Sequence, residues 1–182
     1  PLDLTEIEGA DVLYHAEGII RESEANAAAL FGTKKTVYSA EGSSLCIRAM
    51  LYLALLHARA NHKKPVIAAG PNAHKVLMTA AALFDLDIRW IYAITPAQLE
   101  DVIVSENPAA VYITSPDYLG NIADIKSLST VCKKHGVLLL VDNAHGAYLH
   151  FLPEPMHPMQ LGADICCDSA HKTLPVLTGG AY

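Results

Sequence analysis

The sequence predicts an α/β fold in which a mostly parallel sheet carries helices on both faces. From residue 36 onward, short aliphatic or β-branched runs alternate with longer segments of helical periodicity, which is typical of parallel βαβ units. Residues 137–141 form a run of five aliphatic residues, as expected for a strand that is buried on both faces. With 182 residues, of which 52% are hydrophobic, the chain can build one domain with a substantial core.

The strands are predicted where apolar runs are short and bounded by turn residues. They cover residues 36–40, 65–69, 88–92, 109–114, 137–141 and 164–167.

The helices are predicted from helical periodicity and from capping residues at their ends. Thr95 and Pro96 form a favourable N-cap and first turn, and Gly136 follows a helix whose last residues are basic. An Ala/Glu-rich segment that stops at Gly32 is expected to pack outside the sheet. The predicted helices cover residues 14–31, 43–61, 72–84, 95–106 and 124–135. No repeat or linker interrupts residues 1–182, so a single domain is predicted.

The composition argues against several classes of partner. A net charge of -6 without a run of Lys or Arg argues against binding to nucleic acid or to an anionic membrane. No segment reaches the ~18 uninterrupted apolar residues of a membrane helix, and residues 1–6 lack the basic start of a signal peptide. We therefore expect a cytoplasmic protein.

Neither the cysteines nor the histidines predict a disulfide or a metal site. Cys46, Cys132, Cys166 and Cys167 contain no CxxC pair, so they are expected to be reduced, structural thiols. Nine histidines are scattered along the chain without HxH or HExxH spacing, so no metal ligands are predicted.

The chemically suggestive residues follow the predicted strands. In parallel α/β sheets, ligands bind at the carboxyl ends of the strands. Five clusters are expected to meet at that edge, and they lie at residues 41–44, 70–74, 114–116, 142–145 and 169–172.

The first of these clusters predicts an anion site. Gly42, Ser43 and Ser44 join a strand to a helix, where free N–H groups, hydroxyls and the helix dipole favour a phosphate. The alternative is an ordinary serine N-cap after a glycine turn. The absence of GxGxxG and of the Walker lysine motif argues against a dinucleotide or nucleoside triphosphate.

Two further clusters offer groups for a planar cofactor. His74, at a helix start, either stacks on such a ring or is an ordinary surface histidine. Asp142 follows a buried strand and needs a partner, which is either a local cap or salt bridge or a protonated ring nitrogen. Ala144 is small enough to let a ring lie close, and His145 could contact substrate.

Lys172 is a candidate for covalent attachment of a cofactor. It lies among small and apolar neighbours, where a desolvated amine can attack an aldehyde; the alternative is an ordinary surface lysine. Ser169 and His171 flank it and could contact phosphate. A Schiff-base lysine combined with an aspartate that protonates a pyridine nitrogen is the requirement of pyridoxal 5'-phosphate (PLP) chemistry.

These motifs resemble those of the ornithine/lysine/arginine decarboxylases, PLP enzymes of fold type I. The resemblance rests on four segments in the same order: Asn72-Ala73-His74-Lys75, Ser115-Pro116 with Tyr118 to Gly120, Asp142-Asn143-Ala144-His145-Gly146-Ala147, and Ser169-Ala170-His171-Lys172-Thr173-Leu174-Pro175.

The resemblance implies roles for individual residues. Lys172 would be the Schiff-base lysine, Asp142 the pyridinium partner and His74 the stacking residue, with Ala144 beneath the ring. Four residues would surround the phosphate: Ser43, Ser44, Ser169 and His171. Glu41 and Leu45 depart from the family pattern, so substrate preference is not carried over.

The resemblance also implies the kind of protein. We expect a PLP-dependent transferase-like large domain that is incomplete, without a small C-terminal domain, and that forms a homodimer or higher homo-oligomer. The expected reaction is decarboxylation of a small-molecule amino acid, with a basic one such as ornithine, lysine or arginine as the candidate. The alternatives are another fold-type-I activity, such as transamination or lyase chemistry, and a non-catalytic or regulatory fragment that keeps the fold.

Overall fold

A computed structural model describes residues 7–182 of the chain. The first six residues, on which the prediction of a missing signal peptide depends, lie outside this range. The described residues form a five-stranded sheet in which every strand pair is parallel. The strands are β1 (Val66–Ala69), β2 (Asp87–Trp90), β3 (Ala110–Thr114), β4 (Leu138–Asp142) and β5 (Ile165–Cys167), and their order across the sheet is β2-β1-β3-β4-β5.

Six α-helices accompany the sheet. They are α1 (Ile19–Phe31), α2 (Gly42–Ala60), α3 (Lys75–Phe84), α4 (Pro96–Glu106), α5 (Ile125–Lys134) and the short α6 (Ala170–Thr173). A 3₁₀ helix at Ala147–Phe151 lies between β4 and β5. The N-caps of α4 and α5 are Thr95 and Asp124, whose side chains accept hydrogen bonds from Gln98 N–H (3.3 Å) and Ser127 N–H (3.1 Å).

Helices cover both faces of the sheet. On one face, α2 and α3 pack on alternate strand residues such as Ile67, Tyr112 and Leu140. On the other face, α4 and α5 pack on the intervening residues, such as Val111 and Val141. Strand side chains alternate between faces, so the strands between the two helix layers are buried on both sides. The predicted fold class is therefore confirmed in its architecture.

The predicted strand at residues 36–40 is wrong. This segment forms only one isolated antiparallel bridge, between Ser39 and Ala181. The neighbouring Tyr38 N–H donates to the Glu24 side chain on α1 (2.9 Å), so it is not available for a ladder. The Tyr38 hydroxyl also lies 3.0 Å from Ser23 Oγ of α1, so the segment is held by that helix and not by a neighbouring strand.

Several element boundaries differ from the prediction by a few residues. Helix α1 begins at Ile19 rather than at residue 14, because the Asp11 carboxylate accepts N–H groups at the turn before it, including that of Gly18 (3.0 Å) and that of Ile20 (2.8 Å). Helix α3 begins only at Lys75, with His74 as its N-cap. Among residues 7–182, no helix combines the length and apolar character that a membrane crossing requires.

Candidate active site

A cavity of about 220 Å³ lies at the carboxyl edge of the sheet. All ten residues predicted from the sequence to bind a cofactor line it, together with Ile47, Thr114 and Tyr118. The ten are Gly42, Ser43, Ser44, His74, Asp142, Ala144, His145, Ser169, His171 and Lys172. Segments separated by up to 130 residues thus meet at one place. The segments after β1, β3, β4 and β5 meet because parallel strands end at the same edge, and the start of α2 joins them through the hydrogen bond from Gly42 N–H to Gly179 O.

Asp142 is the last residue of β4 and is only 2% exposed. Its Oδ2 accepts a hydrogen bond from the Tyr112 hydroxyl (2.9 Å), and its Oδ1 accepts one from Ala144 N–H (3.2 Å). Burial, and then the Asp142 carboxylate, raise the pKa of Tyr112, so the phenol keeps its proton and acts as a donor. Donors on both oxygens thus hold this carboxylate at the cavity.

The Gly-Ser-Ser segment forms the start of α2. Gly42 has a φ of 66°, a left-handed conformation that favours glycine. The N-cap residue is Glu41, and no side chain caps the helix, so the interpretation of these serines as an ordinary N-cap does not hold. The first turn of a 19-residue helix therefore faces the cavity with Ser43 and Ser44 in it.

The end of the described chain connects the Gly-Ser-Ser turn with the lysine segment. Gly42 N–H donates to Gly179 O (2.8 Å), and His171 N–H donates to Gly180 O (3.2 Å). His171 Nδ1 also lies 3.3 Å from Gly180 O and 3.3 Å from Ser169 Oγ. Because a carbonyl only accepts, Nδ1 carries a proton, which fixes the orientation of the ring.

His74 is held by the helix that it begins. Its Nδ1 accepts a hydrogen bond from Val76 N–H (3.3 Å), so the proton of the neutral ring is on Nε2. The half-buried ring lines the cavity. The interpretation as a free surface histidine is therefore not supported.

Lys172 lies opposite His145. Lys172 Nζ is 3.2 Å from His145 Nε2, and the ring of Tyr118 packs edge-on against His145 with centroids 5.0 Å apart. Lys172 is exposed in the single chain, whereas its apolar sequence neighbours predicted a desolvated amine. In the four-residue helix α6, Ala170 is the buried residue and Lys172 is turned away from it.

Sequence reasoning missed four residues of this site. Tyr112 carries no motif, although a tyrosine within an aliphatic strand signals a hydroxyl that needs a partner. Thr114 and Tyr118 lie in segments that the sequence singled out but assigned no role, and Ile47 was read only as part of a helix. Thr114 Oγ1 is buried without a hydrogen-bond partner among residues 7–182. Because Thr114 lines the cavity wall, its hydroxyl can hydrogen-bond to a polar group bound there.

Solved structures with this fold include several enzymes. The sphingosine-1-phosphate lyase of Burkholderia pseudomallei matches with a TM-score of 0.76 and 21% identity, over 93% of this chain and 44% of that one. Mouse CSAD in its apo form matches with a TM-score of 0.72 and 22% identity, over 93% and 41%. The PLP-dependent protein YhfS of Escherichia coli matches with a TM-score of 0.70 and 16% identity, over 87% and 41%. The fold is therefore that of the PLP-dependent fold-type-I enzymes, as predicted.

The family follows from the sequence relatives. A sequence model described as the major domain of Orn/Lys/Arg decarboxylase matches residues 2–182. An arginine decarboxylase of Bacillus subtilis is 32% identical over 185 residues, which are 94% of this chain and 36% of the relative. The uncharacterised protein YaaO of the same organism is 31% identical over 100% of this chain and 39% of its own length. The chain belongs to the Orn/Lys/Arg decarboxylase family, and it spans well under half the length of these relatives.

The described residues fit the cofactor that the sequence predicted. A buried carboxylate, Asp142, is available for a ring N–H, and an amine, Lys172, for an aldehyde. The uncapped start of α2 and the orphaned hydroxyl of Thr114 offer donors to a phosphate or to another polar substituent.

Proposed function

We propose that this chain is the cofactor-binding part of a PLP-dependent decarboxylase that acts on a basic amino acid. One observation carries the proposal: the Lys172 amine and the Asp142 carboxylate, which lie thirty residues apart in sequence, line the same cavity at the carboxyl edge of the sheet. Family membership supports PLP as the cofactor, in agreement with the sequence-based prediction. PLP, when bound, supplies an electron sink for the bond that breaks at the α-carbon of an amino acid.

Each predicted site residue has a task in this proposal. Lys172 Nζ would hold the cofactor covalently, and the Asp142 carboxylate would keep its ring nitrogen protonated through a charge-assisted hydrogen bond. His74 would stack on the ring, and the small side chain of Ala144 would leave room for it. The phosphate is held by four residues, Ser43, Ser44, Ser169 and His171.

His145 accepts the proton of the Lys172 ammonium group. A lysine must be neutral before its amine can attack a carbonyl carbon, and His145 Nε2 lies 3.2 Å from Lys172 Nζ. The imidazole accepts the ammonium proton at Nε2, which leaves the amine lone pair free. Tyr118 packs against the imidazole edge and keeps it in place for this transfer.

The Tyr112 hydroxyl fixes the orientation of the Asp142 carboxylate. It donates to Asp142 Oδ2, so the carboxylate stays where a ring N–H can reach it and does not rotate into the apolar core. The electrostatic task of Asp142 therefore depends on a residue of the neighbouring strand.

The substrate class is proposed from the relatives, several of which are named arginine decarboxylases. Among the described residues that line the cavity, Asp142 is the only carboxylate, and its oxygens serve the cofactor. A group that pairs with a cationic substrate side chain thus comes from outside this set of lining residues.

A second subunit is proposed to cover the site. Lys172 is exposed, and so are three large apolar side chains in the segments that carry Tyr118 and Lys172: Tyr118 by 69%, Leu119 by 88% and Leu177 by 91%. Such a patch is typical of an interface between subunits. Light scattering of the full-length protein tests this: a dimer or a higher oligomer is expected, and a monomer would contradict it.

Covalent trapping tests the cofactor assignment. The full-length protein is mixed with PLP, reduced with borohydride, digested and examined by mass spectrometry. The added mass is expected on the peptide that contains Lys172, and it is expected to be absent from Lys172→Ala and present in Lys75→Ala, a lysine outside the cavity. Label on another lysine in the wild-type protein would overturn the assignment.

Product analysis tests the reaction. The holoprotein is incubated with arginine, ornithine or lysine labelled in the carboxyl group. Release of labelled CO2 with formation of the amine supports decarboxylation. Formation of a keto acid without CO2 indicates transamination instead, and no turnover of any amino acid supports a non-catalytic role.

A further inference from the structure

A second buried carboxylate, Asp168, lies behind the site without lining its cavity. It is fully buried and accepts hydrogen bonds from three side chains. Asn143 Nδ2 donates to Oδ1, while His157 Nε2 (3.1 Å) and the Cys166 thiol (3.5 Å) face Oδ2. A buried carboxylate requires such partners, since an unpaired one is strongly destabilising.

Two contacts determine which atoms of this cluster carry protons. His157 Nδ1 accepts the N–H of Met159 (3.4 Å), so the neutral ring carries its proton on Nε2 and donates it to Asp168. Burial, and then the Asp168 carboxylate, raise the pKa of Cys166, so Cys166 is a thiol.

The same proton positions argue against a metal ion at this cluster. His157, Cys166 and Asp168 bring their ligand atoms within 4.8 Å of one another. A histidine that ligates a metal through Nε2 donates its other ring proton to an acceptor, whereas His157 Nδ1 faces a backbone N–H donor. The cluster is therefore a hydrogen-bond network.

The network connects two segments of the candidate active site. Asn143 lies between Asp142 and Ala144, and its backbone N–H also donates to Cys167 O (2.9 Å). Asp168 directly precedes Ser169 in the segment that ends at Lys172.

We propose that His157, Asp168 and Asn143 are positioning residues that set the place of Asp142 relative to Lys172. The proposal rests on the proposed function, in which these two residues hold opposite ends of one cofactor. A rigid planar group held at two points tolerates little displacement of either point. His157 contributes from a turn that has no contact with the cavity, since it holds Asp168 in the orientation that Asn143 requires.

Two substitutions at His157 separate positioning from packing. His157→Leu removes the Nε2–H donor and leaves only Asn143 and Cys166 as side-chain donors to Asp168. His157→Gln keeps an N–H donor at similar reach, so it is expected to rescue the effect of Leu. His150→Leu is the matched control, because its ring centroid lies 5.8 Å from that of His157 but no hydrogen bond joins it to Asp168.

The first measurement needs no cofactor. Amide hydrogen exchange of the full-length protein reports on Asn143, whose N–H donates to Cys167 O, and on Lys172, whose N–H donates to Ser169 O. His157→Leu is expected to speed exchange at both amides by roughly tenfold or more while exchange in α5 stays unchanged. Uniformly faster exchange across the sheet would indicate a general loss of stability and would overturn the proposal.

The second measurement is the PLP dissociation constant together with the visible circular dichroism of the bound cofactor. His157→Leu is expected to weaken binding by roughly 10- to 100-fold and to change the dichroism, because misplacement by about 1 Å is costly at such sites. His157→Gln and His150→Leu are expected to stay close to the wild type. Equal losses in the Gln and Leu variants, or none in Leu, would overturn the proposal.

Two outcomes need a further experiment: a His157→Leu variant that does not fold, and a wild-type protein that binds no PLP. If His157→Leu does not fold, Asp168→Asn replaces it, because it removes the charge that organises the network but keeps the shape of the side chain. If the wild-type protein binds no PLP, the proposed function fails, and the exchange measurement alone decides whether the network couples the two segments.

Discussion

The phenol of Tyr112 donates a 2.9 Å hydrogen bond to Oδ2 of Asp142 across the neighbouring strands β3 and β4. Tyr112 is fully buried and Asp142 is 2% exposed, so water cannot replace either partner. The parallel register pairs Thr114 with Asp142, which places Tyr112 one step below the carboxylate on the same face of the sheet.

Tyr112→Phe is expected to lower the free energy of unfolding by about 1–3 kcal/mol, because it leaves a buried carboxylate oxygen without its donor. Denaturant unfolding of the apoprotein measures this. Tyr52→Phe, at an exposed position of α2, serves as the control and is expected to change stability little. If both variants were equally stable, the hydrogen bond would contribute nothing measurable.

His145→Phe is expected to slow the covalent attachment of PLP at neutral pH, because the variant keeps the ring but cannot accept the proton of Lys172. Stopped-flow absorbance after mixing apoprotein with PLP measures the rate. His15→Phe, at an exposed position away from the cavity, is the control, and a rate independent of residue 145 would contradict the proton-transfer role.

Gly146→Ala is expected to destabilise the protein by about 1–3 kcal/mol through overpacking. A Cβ at this position would meet the Asn143 side chain and would lie 2.6 Å from Pro116 Cδ, so it would push on the turn that carries Asp142. Thermal unfolding measures the loss. At Gly18 an added Cβ comes no closer than 3.4 Å to its nearest neighbour, so Gly18→Ala is the control that is expected to be tolerated.

The four cysteines are expected to react slowly with a maleimide at pH 8. Burial raises the pKa of Cys46 to about 11 and that of Cys132 to about 12, and it raises those of Cys166 and Cys167 as well. At pH 8, roughly 0.1% of Cys46 is thiolate, and the reactive fraction rises with pH. Mass spectrometry over time, compared with the unfolded chain, measures this; a folded-state rate equal to the unfolded one would contradict it.

Much of the architecture could be predicted from sequence patterns alone. The aliphatic run at residues 137–141 overlaps β4 and signals burial on both faces, and Thr95 caps the helix that follows it, as predicted. The strand predicted at residues 36–40 was wrong, because side-chain hydrogen bonds from α1 replace ladder partners there, and a pattern of apolar residues cannot reveal such competition.

The ten candidate site residues were chosen because each follows a predicted strand, and all ten line one cavity. For the residues that follow β1, β4 and β5, the meeting is a consequence of parallel topology, which short-range patterns reveal well. Gly42, Ser43 and Ser44 follow a segment that is not a strand, and the hydrogen bond from Gly42 N–H to Gly179 O holds them at the same edge. The exposure of Lys172 was not foreseen, because the apolar character of its sequence neighbours says nothing about which of them lie over the side chain.

The sequence by itself determined the fold class, the family and the positions of the motif residues, since these depend on periodicity and on the order of short segments. Only the tertiary structure decided which residues hold the motif residues in place through hydrogen bonds. Tyr112 beneath Asp142, and His157 and Asn143 on Asp168, are contacts between segments 11 to 30 residues apart, without a characteristic spacing. Hydrogen bonds of this kind depend on register, strand order and burial, and those exist only after the chain has folded.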